Sequence, residues 1–331
     1  MERFALAAAV VLGFALTAAL CSLFVPLRRV LERREQNQQP AQSEQPRPVP
    51  LRAPLWGGLC AAAGTVAAVG VGWLAACVGQ PELLGSEGRL MTRLLTALAG
   101  SLAFGAVGLA EDLARMRSPA ALGLRRDVRL LLEALAAAFV LLLLRAAGCL
   151  PRGLDVPGAG YVLLGSAVPF LWAVLMVALA ECARIAERDE GTVCGAAFVA
   201  MLALMMAEAG LGVPGLAVLP AALAGALVAL LLWAFPPARL GVGCCGSLLA
   251  AGAIGCIPLS LDMTSLTVPL ALPFWAAGGL LAAQLLGAKR TGKPLRCWVK
   301  KHKMSPETVF LCSFALSAVG YVLALALLRW C

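Results

Sequence analysis

The chain has 331 residues, of which 61% are hydrophobic and 14% are charged, and its formal net charge is +9. Apolar runs long enough to cross a bilayer recur from end to end, which excludes a soluble globular protein and predicts a polytopic membrane protein. The basic residues flank these runs and do not alternate with aromatic residues. The positive charge therefore indicates membrane topology, with no nucleic acid as partner.

Ten apolar segments of roughly twenty residues are predicted to be membrane helices. The first is longer than the core of a typical signal peptide and has no small-residue cleavage pattern, so we expect a retained helix. The predicted fold is an all-α integral membrane protein whose whole chain, 1–331, forms one domain. The segments are 4–25, 55–78, 91–110, 130–148, 161–180, 193–211, 214–234, 245–261, 267–287 and 308–328.

Lysine and arginine concentrate in alternate connections, above all in 26–54, 111–129 and 289–303. By the positive-inside rule these connections are cytoplasmic, which predicts a multi-pass protein of the cell membrane with both termini outside. The connection 26–54 includes the polar stretch REQNQQPAQSEQPRPVP, which has no apolar periodicity. It is predicted to be a flexible cytoplasmic loop.

Acidic residues cluster on the predicted cytoplasmic side. Glu111 and Asp112 end the third segment, and Glu181, Glu187 and Glu190 follow the fifth. Carboxylates and arginines that meet in a cleft at one membrane surface suit a Mg²⁺ ion and a phosphate-bearing substrate. A solvated loop of mixed charges is the other interpretation, and the charge pattern alone favours it.

The stretch GLAEDLARMR, followed by GLRRDVRLLLE, resembles the signature of the polyprenyl-phosphate phosphosugar transferase superfamily. This family of membrane enzymes includes the phospho-N-acetylmuramoyl-pentapeptide and N-acetylglucosamine-1-phosphate transferases. Its pattern is a glycine, an aspartate pair and a lysine, then Gly-Leu, a lysine and a glutamine. The spacing is kept here, but several residue types differ. The matching positions are Gly108, Glu111, Asp112, Arg115, Gly123, Leu124, Arg129 and Glu133.

Four further stretches resemble the family in the same order along the chain. PLWGG, 54–58, is similar to Pro-x-x-Gly-Gly, and ECARIAERDEG, 181–191, is similar to Asn-Ala-x-Asn-Leu-x-Asp-Gly-x-Asp-Gly. PPARLGVGCCGS, 236–247, resembles a Pro-Ala segment that carries a metal-binding aspartate. KPLRCWVKKHKMSPETV, 293–309, resembles a Pro-x-His-His-His loop. The resemblance therefore spans nearly the whole chain.

The resemblance implies transfer of a sugar phosphate from a UDP-linked sugar to polyprenyl phosphate, with Mg²⁺ as cofactor, in cell-envelope synthesis. It also implies the possibility of a homodimer, which abundant Ala and Gly would permit. The implied catalytic residues are Glu111, Asp112, Glu187 and Glu190, and the implied metal ligands are Asp112, Glu187 and Cys244. The implied substrate-binding residues are Arg115, Arg129, Arg184, Glu181, Gly191, Ser247 and Arg296.

Several substitutions weigh against activity. Cys244 stands at the metal-binding aspartate, and a thiolate is a poor ligand for Mg²⁺. Arg296, with Cys297 and Trp298, replaces the histidine triplet, and His302 lies outside it. A change of metal, with Cys244, Cys245 and Cys297 or His302 as soft ligands, is less favoured because adjacent cysteines do not easily share one tetrahedral site.

Two functional hypotheses follow, an active divergent transferase and a catalytically silent relative that binds lipid phosphate or scaffolds envelope-synthesis proteins. Glu181 and Arg184 are three residues apart, as are Arg184 and Glu187, so on a helix they would form ion pairs that fill the site from within. A transporter has little support. The charged residues inside predicted helices, Glu133, Arg145 and Glu208, lie near helix ends, where snorkelling is the simpler account.

Overall fold

The computed structural model describes residues 2–38, 56–79, 88–117, 123–151, 153–156, 160–163, 165, 167–187, 191–213, 215–236, 238–287 and 305–328. Within these ranges the chain is mostly helical, and each predicted segment corresponds to a helix of sixteen residues or more. The helices are α1 (Glu2–Gln38), α2 (Gly57–Gly79), α3 (Gly88–Arg117), α4 (Arg126–Ala146), α5 (Ala167–Ala186), α6 (Thr192–Gly210), α7 (Val218–Ala234), α8 (Gly243–Ser260), α9 (Leu272–Gly287) and α10 (Pro306–Leu328).

Seven of the described helices, namely α1, α2, α3, α5, α6, α8 and α10, are long and apolar enough to cross a membrane. The shorter helix α7 is equally apolar. Helices α1 and α10 expose large apolar side chains along much of their length, among them Phe4, Val11, Leu311 and Val322. Such surfaces suit contact with lipid tails. A multi-pass membrane protein is therefore confirmed.

Three local predictions were wrong. Helix α1 continues through Pro26 to Gln38, so the first part of the predicted loop 26–54 is helical. Leu, Arg, Glu and Gln, which favour helix, dominate this extension, and residues 39–55 lie outside the described ranges. The prediction of all-α structure missed an antiparallel hairpin of β1 (Gly153–Val156) and β2 (Gly160–Leu163), whose register pairs Gly153 with Leu163.

The third difference lies at the predicted segment 267–287. The structure has a 3₁₀ turn over Thr264–Leu266, a one-turn helix over Thr267–Leu270 and then α9. Pro273 has no amide hydrogen to donate to the carbonyl of Pro269, so a continuous helix would lose a hydrogen bond there. The chain instead breaks at Ala271, whose carbonyl accepts from Phe274.

Helix α8 forms the centre of the bundle, and all of its residues are buried. Helix α3 packs along it because small residues face the contact. A Cβ atom added at Gly108 would overlap the carbonyl of Cys244, and one added at Gly100 would meet Cys256 Sγ. Close approach of two helices at small residues is the usual basis of packing between membrane helices. This crossing fixes the end of α3 against the start of α8.

Candidate functional site

Side chains from four helices meet at one end of the bundle, where α3 and α5 end and α4 and α8 begin; we call it the site end. Asp112 lies near the end of α3, and Cys244 lies at the start of α8. Glu187, directly after α5, is within electrostatic range of both. The structure therefore brings residues 112, 187 and 244 together, although α3 and α8 lie more than a hundred residues apart in sequence.

Asp112 holds the start of α8. One carboxylate oxygen, Oδ1, accepts a hydrogen bond from the backbone amide of Cys244 at 3.1 Å, and Oδ2 accepts one from the amide of Cys245 at 2.9 Å. The first amides of a helix have no partner within the helix, and a carboxylate at this end also interacts favourably with the helix dipole. Asp112 is 1% exposed. It therefore acts as an N-terminal cap supplied by another helix.

Glycines make this geometry possible. Gly243 opens α8 with φ of 72°, a backbone conformation that residues with a Cβ atom rarely adopt. On the adjoining helix α2, the amides of Gly57 and Gly58 donate to the carbonyls of Gly241 at 3.2 Å and Val242 at 2.9 Å. A Cβ atom at Gly58 would overlap the backbone of Gly246. The glycine pair of PLWGG thus fastens α2 to the segment that enters α8.

Arg129 on α4 pairs with acidic residues of α5 and α3. Its Nε donates to Glu181 Oε1 on α5 at 2.8 Å, and its Nη1 lies 3.5 Å from Glu111 Oε1 on α3. Arg184 Nη2 donates to Glu181 Oε2 at 2.5 Å, which confirms the predicted pair on α5. Both oxygens of Glu181 are therefore occupied by guanidinium groups.

The acidic pair of α3 is neutralised in the same way. Arg115 Nη2 donates to Glu111 Oε1 at 2.6 Å, and Arg115 Nη1 lies 3.7 Å from Asp112 Oδ1. Gly123, with φ of 70°, lies against the Arg115 side chain, where a Cβ atom would be 3.0 Å from its Cγ. The predicted site acids Glu111, Asp112 and Glu181 thus each have an arginine partner.

Glu133 is a further member of this group that sequence reasoning assigned to snorkelling. It is fully buried, its Oε1 lies 4.0 Å from Arg129 Nε, and neither of its oxygens has a hydrogen-bond partner in the described part of the chain. The interpretation of a charge that reaches the membrane surface was therefore wrong for Glu133. It was also wrong for Glu208, which is 1% exposed. Its position in the family signature, four residues after Arg129, is the signal that could have placed Glu133 beside the site.

Four other residues that the resemblance implied for the site are Ser247, Gly191, Glu190 and Arg296. Ser247 is buried, and its hydroxyl donates to the carbonyl of Cys244 at 3.1 Å within α8. Gly191 caps α6 with φ of 73°, and a Cβ atom there would be 3.1 Å from the carbonyl of Ala234. Both residues shape the backbone around the site. Glu190 and Arg296 lie outside the described residues.

The donor set that the described residues form at the site end does not fit Mg²⁺. Within the described residues, no group of three His, Cys, Asp or Glu side chains is arranged to hold a metal ion. Both Asp112 oxygens accept backbone hydrogen bonds, and Cys244 offers sulfur where Mg²⁺ selects oxygen. The described side chains instead form an internally paired set of carboxylates and guanidinium groups.

Comparison with known proteins supports the family resemblance that the sequence motifs indicated. The model of glycosyl transferase family 4 matches residues 94–262. A phospho-N-acetylmuramoyl-pentapeptide-transferase of Synechococcus sp. (strain RCC307) is 30% identical over 212 residues, which are 63% of this chain and 55% of that protein. The protein of that name from Mycobacterium tuberculosis (strain ATCC 25618 / H37Rv) is 27% identical over 265 residues, 72% of each chain.

A third relative, the phospho-N-acetylmuramoyl-pentapeptide-transferase of Desulforudis audaxviator (strain MP104C), is 32% identical over 170 residues, 48% of this chain and 50% of that protein. The matched region of the family model contains Asp112, Arg129, Glu181 and Cys244, and with them the paired site end. Since this region is more than half of the chain, the protein belongs to glycosyl transferase family 4.

Proposed function

We propose that the protein is a divergent phosphosugar transferase of the cell membrane that binds the phosphate of a polyprenyl lipid at its cytoplasmic face but has lost Mg²⁺-dependent transfer. The observation that carries the proposal is the internal pairing of the site: Asp112 caps α8, and Arg115, Arg129 and Arg184 neutralise its acidic neighbours. A metal ion would have to displace these partners. The ancestral reaction would transfer a sugar phosphate from a UDP-linked sugar in peptidoglycan precursor synthesis.

The membrane orientation is part of the proposal. The site end carries Arg115, Arg117, Arg125 and Arg126 at the end of α3 and the start of α4, whereas Arg145 is the basic residue in the last turn of α4. The positive-inside rule then places the site end in the cytoplasm. The proposed topology has ten membrane segments and both termini outside.

Lipid phosphate is the ligand that the arginines favour. A guanidinium group binds phosphate oxygens with paired hydrogen bonds, and three such groups meet within the cluster. Arg115 is partly exposed, with 20% of its side chain accessible, whereas Arg129 is 9% exposed. A phosphate would therefore meet Arg115 first and would compete with Glu111 for it.

An active transferase is the second candidate, and the family match favours it. Asp112, Gly108 and Ser247 keep the residue types of the family signature, and Glu111 and Glu187 keep negative charge at the corresponding positions. In this case phosphate binding would open the ion pairs, and Mg²⁺ would enter with the UDP-linked substrate. The substrates would be polyprenyl phosphate and UDP-N-acetylmuramoyl-pentapeptide or a related UDP-sugar.

One pair of assays on the purified full-length chain tests both candidates. Binding is measured with polyprenyl phosphate and, as control, polyprenol, and turnover is measured as UMP release from each UDP-sugar with Mg²⁺. The proposal expects binding that requires the phosphate and is weakened about tenfold by Arg115→Gln, which corresponds to about 1.4 kcal/mol. Arg145→Gln, at the other end of α4, should leave binding unchanged.

UMP release that requires polyprenyl phosphate would establish the active transferase and contradict the loss of transfer. Equal affinity for polyprenol and polyprenyl phosphate would contradict lipid-phosphate binding.

A further inference from the structure

The contact between α1 and α2 has a regular antiparallel register. Thr17 on α1 lies opposite Gly64 on α2, where an added Cβ atom would overlap the threonine hydroxyl. Farther along, Phe24 stacks on Trp56 with ring centroids 5.5 Å apart and the planes 6° from parallel. The two contacts are seven residues apart on α1, and Trp56, just before α2, is eight residues from Gly64. Two helical turns of each helix therefore run side by side.

Cys21 and Cys60 occupy the middle of this contact. Cys21 is four residues after Thr17, and Cys60 is four residues before Gly64, so one turn brings both side chains to the same level. Both cysteines are buried, at 0% and 1% exposure, and their thiols are close enough to interact with each other. The glycine contact on one side and the aromatic stack on the other fix this pairing.

We propose that Cys21 and Cys60 are a dithiol that closes to a disulfide bond between α1 and α2 when a small-molecule disulfide oxidises it. This modification site is independent of the proposed function, because neither cysteine belongs to the paired site. The bond would tie α1 to the helix whose Gly57 and Gly58 hold the segment leading into α8. Oxidation would thereby lock the first helix onto the core.

The chemistry balances as two thiol–disulfide exchanges. One cysteine loses its proton and attacks the oxidant, so that a mixed disulfide forms and one oxidant thiol leaves with that proton. The second cysteine attacks the mixed disulfide, the Sγ–Sγ bond forms, and a second oxidant thiol leaves with the second proton. The two cysteines are oxidised, and the disulfide of the oxidant is reduced to two thiols.

Access to the pair runs along α1, which lies at the edge of the bundle. Leu23, two residues beyond Cys21, is 69% exposed, and Val11 and Phe4 on the same helix are also exposed. Both thiols are buried, so an apolar oxidant would reach them from the lipid side only when α1 separates from α2. Cys194 and Cys245 are within electrostatic range of the pair, but the described residues include no group of three ligands for a metal.

The test uses the full-length chain in detergent with 4,4′-dithiodipyridine, an apolar disulfide that releases a coloured thiopyridone at each exchange. Peptide mapping by mass spectrometry then identifies the products. We expect a reductant-sensitive crosslink between the Cys21 and Cys60 peptides and a higher unfolding temperature for the oxidised chain. The exposed Cys312 should carry only the mixed adduct and serves as the control for reagent activity.

Cys21→Ser and Cys60→Ser are the matched variants, in which the remaining cysteine should retain a pyridyl adduct and the temperature shift should disappear. Oxidation is repeated just below the unfolding transition, so that slow opening of α1 does not limit the reaction. Unmodified or separately modified Cys21 and Cys60, with Cys312 fully reacted, would overturn the proposal. A metal ion bound to these thiols in the isolated chain would overturn it as well.

Discussion

The carboxylate of Asp112 on α3 accepts a hydrogen bond of 2.9 Å from the backbone amide of Cys245 on α8. Its other oxygen accepts from the amide of Cys244, so one acidic side chain satisfies two amides at the start of the most buried helix. In this arrangement the aspartate of the family signature caps a helix. Both oxygens of this carboxylate already accept hydrogen bonds from the protein itself.

Replacing Asp112 with alanine should lower the stability of the chain. The change removes the helix cap and so leaves two buried amides without an acceptor, which costs about 1–3 kcal/mol. Thermal unfolding of the purified variant in detergent measures the loss. Asp112→Asn keeps one acceptor oxygen and should lose less. An unchanged unfolding temperature for Asp112→Ala would refute the capping role.

Glu133→Gln should leave stability unchanged or raise it by about 1 kcal/mol, because a neutral amide does not carry the cost of a buried carboxylate with no hydrogen-bond partner in the described residues. Arg129→Gln should lower stability by about 3 kcal/mol, since Glu111 and Glu181 lose a partner. The double variant should be more stable than Arg129→Gln alone. Strictly additive free energies of unfolding would show that Arg129 and Glu133 do not interact.

Cys244→Asp should create an affinity for Mg²⁺ at the site end. The new carboxylate would lie beside Asp112 and within electrostatic range of Glu187, which gives the oxygen donors that Mg²⁺ selects. At Mg²⁺ concentrations a hundredfold above the dissociation constant, binding would stabilise the variant by about 2.7 kcal/mol. The measurement is the unfolding temperature with and without Mg²⁺.

Cys244→Asn is the control for that experiment, because it has the same shape without the charge and should not respond to Mg²⁺. A response of the unaltered chain as large as that of Cys244→Asp would show that the native site already holds the ion. That result would favour the active transferase.

Gly58→Ala should destabilise the chain by about 1–3 kcal/mol or prevent folding, because its Cβ atom would overlap the backbone of Gly246 and force α2 away from α8. Gly70, on the same helix, has no atom within 4 Å of an added Cβ. Gly70→Ala should therefore be neutral or stabilising by up to about 1 kcal/mol. Equal unfolding temperatures for the two variants would contradict the close contact.

The positions of the long helices could be predicted because a membrane helix needs only a local property, an apolar run of sufficient length. The same reasoning failed where local features other than hydropathy decide the secondary structure. The strands around Gly153 and Gly160 pair with each other, and the break at Ala271 depends on which carbonyls the prolines leave unbonded. The helical extension to Gln38 follows from helix-forming residues in a segment whose polarity suggested a loop.

The sequence by itself determined the membrane class, the family and the pairing of Glu181 with Arg184, because each depends on residue types at short spacings or in a fixed order. Only the tertiary structure decided that Asp112 caps α8, that Arg129 joins three helices and that Cys21 faces Cys60. These contacts join residues that are far apart in the chain, and the distance between them is set by how closely the glycine-lined helices pack. A spacing pattern carries no information about that distance.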